Sequence, residues 1–127
     1  MKRWQADPIG YRIDTYTQRN NILRNMGFSN YAAYLKSPLW DGIRASVLAR
    51  NPCCFVCEQP ASQVHHTCYR RSDLTGKDMR RLVSLCAGCH HEIEFRNKDH
   101  EKLNVKQATV KMRQLRKLLE EHDAARP

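Results

Sequence analysis

Two pairs of cysteines in the sequence have the spacing of metal ligands. Cys54 and Cys57 form one Cys-x-x-Cys pair, and Cys86 and Cys89 form a second, with 28 residues between the pairs. Each pair allows two thiolates to converge on one ion, and two pairs complete a tetrahedral zinc site with four cysteine ligands. The sequence therefore predicts one structural Zn²⁺ bound by these four cysteines.

Two other interpretations of the cysteines stay open at this point. The segment CAGCH at residues 86–90 has the form of a c-type haem attachment signal, but haem attachment would leave the upstream pair without a role. Redox-active Cys-x-x-Cys pairs are the second alternative. Of the remaining cysteines, Cys53 has a wider spacing to Cys57, and Cys68 is expected to be a small buried apolar residue.

Several histidines remain once zinc takes the cysteines. His90 and Glu94 are spaced i, i+4 and therefore share one face of a helix, which is not the face of Cys89. His65 and His66 are adjacent, and on a regular strand they point to opposite faces. We expect two separate roles for this pair, the plain alternative being one histidine in the core and one in solvent.

Capping signals and apolar spacing predict three helices before the first cysteine pair. Residues 14–26 form the first helix, which Gly27 ends as a C-terminal cap. Ser29 begins a short second helix. Ser37 followed by proline is a clear start for a third helix over 38–49, which an Asn-Pro dipeptide then ends.

The second half of the chain predicts short strands followed by helices. Residues 53–57 and 62–66 are β-like pieces separated by a turn. A helix starts near Cys86 and runs to about Phe95, and a basic helix over 104–122 opens with a capping pair of Asn104 and Gln107. The expected class is small α+β in a single domain, 1–127, with helices flanking a β-hairpin.

The length and charge of the chain limit the number of domains and the kinds of partner that we expect. The chain has 127 residues, a formal net charge of +9 and 28% charged residues, which fits one domain with a polyanionic partner such as nucleic acid. A merely soluble basic surface is the alternative. No apolar run approaches the roughly 20 residues that span a bilayer, and the start lacks a signal peptide's apolar segment. We expect a cytoplasmic protein with no membrane partner, whose cysteines are ligands and whose compact size suits a bacterial or phage protein.

Three segments taken together resemble an HNH endonuclease of the zinc-stapled ββα-metal type. They are YAAYLKSPLWDGIRASVL, CFVCEQPASQVHHTCY and LVSLCAGCHHEIEF, within residues 31–95. A tryptophan-containing helix, a first Cys-x-x-Cys, a Val-His-His-x-x-Tyr strand and a Leu-Cys-x-x-Cys-His helix start occur in the family's order. The resemblance implies an HNH core over about 38–96, between an N-terminal helical region (12–37) and the basic helix.

The resemblance also implies roles for the remaining polar residues. His66 matches the general base that activates water. His65 and His90 match the ligands of one catalytic divalent metal, which would be Mn²⁺, Ni²⁺, Co²⁺ or Mg²⁺. Glu94 stands where the family's last histidine falls and is a candidate further ligand.

One position departs from the family's pattern. Arg81 stands where the family usually has Asn, or sometimes Asp, to brace the loop that carries the base. Ser84 or Asp78 is expected to take over that brace.

The function that the resemblance implies is metal-dependent hydrolysis of DNA. A neutral imidazole takes a proton from water near neutral pH, and a divalent ion neutralises charge on the phosphate and the leaving oxygen. Arg70, Arg71 and Arg81 lie in a basic loop that can grip flanking phosphates, unless that loop is simply solvated. The products would carry 5′-phosphate and 3′-hydroxyl ends. The rival is a non-catalytic, zinc-stabilised module of the same fold that binds nucleic acid without cutting it.

Overall fold

The computed structural model describes residues 16–96, 101–102 and 105–124, with only the backbone described at 95–96, 101–102 and 123–124. This part of the chain is α+β, as predicted. Its elements in chain order are α1 (Tyr16–Asn25), α2 (Tyr31–Leu35), α3 (Pro38–Arg50), β1 (Gln63–His66), α4 (Arg71–Leu74), β2 (Leu82–Leu85), α5 (Ala87–Glu94), β3 (Phe95–Arg96), β4 (Glu101–Lys102) and α6 (Val105–Ala124).

The end of α1 follows from a glycine. Gly27 has φ +99°, a conformation that favours glycine, and its N–H donates to the Arg24 carbonyl at 3.0 Å. The Phe28 N–H donates to the Leu23 carbonyl at 2.9 Å, which completes a Schellman motif. The predicted glycine cap is confirmed. Residues 12–15 of the predicted N-terminal helical region lie outside the described residues.

Side-chain caps set the starts of the next two helices. Asn30 caps α2 by accepting a hydrogen bond from the Ala33 N–H at 2.8 Å, so the predicted start at Ser29 is one residue early. Ser37 caps α3 as predicted, since its hydroxyl accepts from the Trp40 N–H at 3.2 Å and proline follows.

The central hairpin pairs strands that are distant in sequence. β1 runs antiparallel to β2, with Gln63 opposite Leu85 and His66 opposite Leu82. Of the β-like piece predicted over 53–57, only Cys53 pairs, in an isolated bridge with Pro60. The rest is wrong, because the segment forms a turn in which the Glu58 N–H donates to the Cys54 carbonyl at 3.0 Å. The partner of the 62–66 strand is therefore β2, which the sequence analysis did not predict.

Two apolar clusters lie on the two faces of this hairpin. The first joins the N-terminal helices to Val64 and Leu82, and it includes Trp40. The second joins Val83 and Leu85 to the turn over 53–57, to α5 and to α6. Because neighbouring strand residues alternate between faces, the hairpin positions side chains toward both clusters.

The C-terminal helix packs against the second cluster. α6 begins at Val105 and runs to Ala124, close to the predicted 104–122, whereas the predicted capping residue Asn104 lies outside the described residues. Ala108 and Met112 are its buried contacts with the hairpin and α5. Among the described helices, none combines the length and the apolar character that crossing a membrane requires.

Candidate metal centres

The four paired cysteines converge in space. The sulfur atoms of Cys54, Cys57, Cys86 and Cys89 all lie within 4.8 Å of one another. The Sγ atoms of Cys57 and Cys86 are 3.7 Å apart. Sulfurs at about 2.3 Å from a tetrahedral zinc ion stand about 3.8 Å apart, so the cluster has the dimensions of a structural zinc site.

The C-terminal end of β2 holds this cysteine cluster in place. The Phe55 N–H, between the first two cysteines, donates to the Ser84 carbonyl at 2.9 Å and ties the first turn to β2. Cys86 directly follows β2, and its Sγ accepts a hydrogen bond from the Cys89 N–H at 3.4 Å. A sulfur that accepts an amide hydrogen is suited to the thiolate form.

The thiol pKa values favour a cation at the centre of this cluster. Burial raises the pKa of Cys57 and of Cys89. At Cys86 burial also opposes the thiolate, but hydrogen bonds from Cys89 and the other thiols lower its pKa overall. The thiolate form of Cys86 is thus favoured, whereas Cys57 and Cys89 need a nearby positive charge to ionise.

The two remaining cysteines stand apart from this cluster. Cys53 is partly exposed and Cys68 is fully buried, as predicted for Cys68. All six cysteines belong to the described residues, and each of them is free of a disulfide.

A second cluster contains three groups that can bind a metal. Ligand atoms of His65, His90 and Glu94 lie within 4.8 Å of one another. The Nε2 atom of His90 is 3.0 Å from a carboxylate oxygen of Glu94. Two ligand atoms that each lie about 2.1 Å from one ion, with a ligand–ion–ligand angle of about 90°, are about 3.0 Å apart. The His90 and Glu94 atoms therefore have a separation at which they could bind the same ion.

Each histidine of this second cluster has a polar partner on its other ring nitrogen. His90 Nδ1 lies 2.5 Å from the Gln63 side-chain oxygen. His65 Nε2 lies 3.2 Å from the Thr109 hydroxyl, and both residues are buried. Burial is the main cause that lowers the pKa of His65 to about 3, with a smaller contribution from His90. The His65 ring is therefore neutral near pH 7.

His66 occupies the opposite face of β1, inside an aromatic cage. Its ring stacks on Trp40 with centroids 4.8 Å apart, and the rings of Tyr34 and Tyr69 lie 6.2 and 5.4 Å away. The Tyr31 hydroxyl is 3.1 Å from His66 Nδ1. His66 Nε2 is buried and has no hydrogen-bond partner among the described residues.

The electrostatic environment of His66 keeps its ring neutral. Burial is the main cause that lowers its pKa to about 3, with smaller contributions from the charges of His65, Arg19 and His90. His66 lines the same cavity of about 380 Å³ as His65, His90 and Glu94. The cavity thus borders the caged imidazole and the three-residue cluster together.

The predicted phosphate-binding arginines lie outside the lining of this cavity. The Arg70 guanidinium makes two hydrogen bonds of 3.0 Å to the Asp73 carboxylate. Arg81 is 3.8 Å from a carboxylate oxygen of Asp78, and Arg71 is exposed. Intramolecular carboxylates therefore already engage two of the three.

Neither residue expected to brace the loop that carries the base makes a hydrogen bond to the His66 ring. The side chain of Asp78 accepts hydrogen bonds from Arg70 and Arg80, and the Ser84 hydroxyl is buried with no hydrogen-bond partner among the described residues. Thr67, which directly follows His66, connects this segment to the residue before β2. Its N–H and its hydroxyl both donate to the Arg81 carbonyl. Arg81 therefore contributes to this segment through its backbone carbonyl.

Several residues at the site were missed by the sequence analysis. Arg19 lies over the Tyr31 ring at 3.9 Å and over the Tyr16 ring at 4.5 Å, beside the aromatic cage. Arg44 lines the cavity and donates to the Ser62 carbonyl. No local spacing links such residues to the histidines, since they come from helices far away in the chain.

Comparisons with known proteins give no family. No family model matches the sequence, and a search of curated proteins finds no significant match.

Proposed function

We propose that this protein is a metal-dependent endonuclease of the HNH type, which hydrolyses phosphodiester bonds in DNA, and that β1, β2 and α5 form its ββα-metal core. One observation carries the proposal. His65, His90 and Glu94 converge beside a cavity that His66 lines from the opposite face of β1. Hydrolysis of a phosphodiester requires a bound divalent ion and a base. Three potential metal ligands and a neutral imidazole around one cavity can supply both.

The residues divide the chemistry between them. His65, His90 and Glu94 would hold the divalent ion, which when bound neutralises charge on the phosphate and on the leaving oxygen. His66 would take the proton of the attacking water at Nε2, the nitrogen without a partner among the described residues. Tyr31 and Trp40 hold that ring in one orientation, by a 3.1 Å hydrogen bond and by stacking.

The cysteine cluster has a supporting role in this proposal. Zinc held by the four cysteines would tie the 53–57 turn to the start of α5. His90 follows Cys89 directly, so the same tie would set the position of a catalytic-metal ligand. We propose that zinc is structural and that hydrolysis uses the second ion.

The ligand set implies a metal preference. Imidazole nitrogens suit later transition metals, whereas Mg²⁺ prefers oxygen ligands and gives up its water reluctantly. With His65 and His90 as two of three ligands, Mn²⁺, Co²⁺ or Ni²⁺ should support faster cleavage than Mg²⁺. Equal rates with Mg²⁺ would mean that oxygen ligands dominate the site.

DNA is the proposed partner because the protein is strongly basic. The formal net charge is +9, and α6 exposes Lys106, Arg113 and Lys117. Neutralisation of phosphates by such side chains gives binding that weakens steeply with salt. Arg71 is also exposed and available to a phosphate, beside the paired Arg70.

A second candidate is a nucleic-acid-binding module that does not cut. Two observations favour it: His66 is only 3% exposed, and Arg81 occupies the position where the family has Asn or Asp. A base that no water reaches would leave a zinc-stabilised fold that only binds.

Plasmid cleavage by zinc-loaded protein separates the two candidates. The assay compares Mn²⁺, Co²⁺, Ni²⁺ and Mg²⁺, with a chelator control, and includes His90→Ala together with His91→Ala. His91 is a matched control because it is exposed on the same helix but outside the cluster. The endonuclease predicts cleavage by wild type and His91→Ala and none by His90→Ala. Retarded but uncut DNA with every metal would establish the binding module.

A further inference from the structure

We infer that Gln63 and Thr109 are positioning residues, which set the divalent-metal affinity of the second cluster by fixing the tautomers of His90 and His65. This inference rests on the proposed function, because it concerns the metal ligands of that site. It adds two residues that lie outside the ligand set, one of them on the C-terminal helix.

The Nδ1 atom of His90 faces a group that can only accept a hydrogen bond. The side-chain oxygen of Gln63 can only accept a hydrogen bond, and it lies 2.5 Å from His90 Nδ1. The hydrogen of a neutral imidazole is therefore held at Nδ1. The lone pair then sits at Nε2, the atom that is 3.0 Å from Glu94. A lone pair and a carboxylate oxygen at that distance repel each other unless a cation or a proton lies between them.

On the His65 side the partner is a hydroxyl, which can either accept or donate a hydrogen bond. Thr109 Oγ1 is 3.2 Å from His65 Nε2, and Thr109 is only 4% exposed. When the hydroxyl accepts the Nε2 hydrogen, Nδ1 carries the lone pair and becomes the nitrogen available to an ion. Without that hydroxyl, the tautomer that offers Nδ1 to an ion would leave a buried Nε2 hydrogen unsatisfied, which disfavours that tautomer.

The fold explains why these two residues meet the histidines. Gln63 and His65 are two positions apart on β1, so their side chains share the face that packs against α5 and α6. Thr109 follows Ala108, a buried contact of α6 with the second cluster. The C-terminal helix therefore reaches a metal ligand from within the core, in addition to exposing a basic surface.

Binding of Mn²⁺, measured by electron paramagnetic resonance of the free ion on the full, zinc-loaded chain, tests this inference without any cleavage. Thr109→Val removes the hydroxyl and keeps the shape, and Gln63→Leu removes the acceptor. Loss of such a partner typically weakens metal binding by about 10- to 100-fold. Thr109→Ser, which keeps the hydroxyl, should bind Mn²⁺ within about threefold of wild type, since the acceptor is retained.

A matched control separates tautomer selection from general damage to the fold. Thr67→Val removes another buried hydroxyl, which donates to the Arg81 carbonyl at 2.8 Å and is not part of the three-residue cluster. Its Mn²⁺ affinity should equal that of wild type. His65→Ala reports whether Mn²⁺ binds at this cluster at all, because it removes a ligand.

The outcomes distinguish this inference from the proposed function. Wild-type affinity in both Thr109→Val and Gln63→Leu would overturn it, and so would a loss as large in Thr67→Val. Unchanged affinity in His65→Ala would overturn both the inference and the metal site. A selective loss in the two variants of a protein that cleaves no DNA would support the inference and refute the endonuclease. Gln63 is only partly buried, so its variant keeps the test valid even if Thr109→Val fails to fold.

Discussion

Two adjacent histidines have different surroundings because they sit on a strand. His65 contacts Thr109 on α6, whereas His66 stacks on Trp40 of α3. This division was predictable from the sequence, since neighbours on a strand point to opposite faces. Their partners were not predictable, because Tyr31 and Thr109 are 35 and 44 positions away from the histidines that they contact. Spacing rules link only residues within one element.

The hydroxyl of Tyr31 offers the most specific test at the residue scale. In the base-competent tautomer, His66 Nδ1 donates to this hydroxyl, so Tyr31→Phe removes one hydrogen bond. A hydrogen bond is worth about 0.5–1.5 kcal/mol, which corresponds to a roughly 2- to 13-fold slower single-turnover cleavage. DNA affinity and zinc content should not change. The measurement is a single-turnover rate at saturating metal and DNA.

Tyr34→Phe is the matched control for that variant. The Tyr34 hydroxyl donates to the Leu74 carbonyl at 2.7 Å and makes no hydrogen bond to His66. Its loss should lower the free energy of unfolding by about 1 kcal/mol and leave the cleavage rate unchanged. In a His66→Ala background, Tyr31→Phe should have no further effect on the rate. An additive loss there would contradict a role exerted through His66.

At the scale of elements, the loop between β1 and β2 depends on one glycine. Gly76 has φ +79°, and a Cβ placed there would come within 2.6 Å of Ile43 Cγ1 in α3. Gly76→Ala combines backbone strain with overpacking and should lower the free energy of unfolding by about 1–3 kcal/mol. Chemical denaturation provides the measurement.

Gly42 is the control for this substitution. It lies inside α3, and a Cβ there would meet nothing within 4 Å. Gly42→Ala should raise the free energy of unfolding by about 0.5–1 kcal/mol, because alanine is the better helix former. A Gly76→Ala protein as stable as wild type would contradict the close packing of the loop on α3.

Local signals predicted the helices better than the strands. Ser37 with its following proline, and Gly27, act through contacts within a few residues, so both caps were visible in the sequence. β2 escaped prediction because its four residues are buried on both faces and lack the alternation of a half-exposed strand. The composition of residues 53–57 favours a strand. The segment instead forms a turn, in which the two cysteines of the first pair approach each other.

At the scale of the whole molecule, a cluster of four cysteines that could hold a metal ion complements a small core. The hairpin pairs only four residues on each side, and a two-stranded hairpin is marginally stable alone. The cysteine cluster brings together two segments that flank the hairpin in sequence: the 53–57 turn before β1 and the start of α5 after β2. The spacing of the cysteines predicted their convergence correctly. That this cluster binds an ion, and that the ion is zinc, are predictions from ligand chemistry.

Loss of one zinc ligand should therefore unfold the protein. Structural zinc can contribute on the order of 10 kcal/mol of apparent binding free energy to folding. Cys57→Ser should give protein that is insoluble or lacks a cooperative thermal transition. Cys53→Ser is the control, because Cys53 lies outside the four-cysteine cluster, and it should keep wild-type zinc content and stability. Elemental analysis and thermal unfolding measure both effects. A zinc-free wild-type protein that folds would contradict this role.

The central claim is that His66 activates water beside a metal held by other residues. It is tested most directly by the single-turnover cleavage rate of His66→Ala at saturating DNA and Mn²⁺. The account predicts a rate about 10²–10⁴-fold below wild type, with unchanged Mn²⁺ affinity, zinc content and DNA affinity. A wild-type rate in His66→Ala, or a loss that extra Mn²⁺ restores, would contradict it.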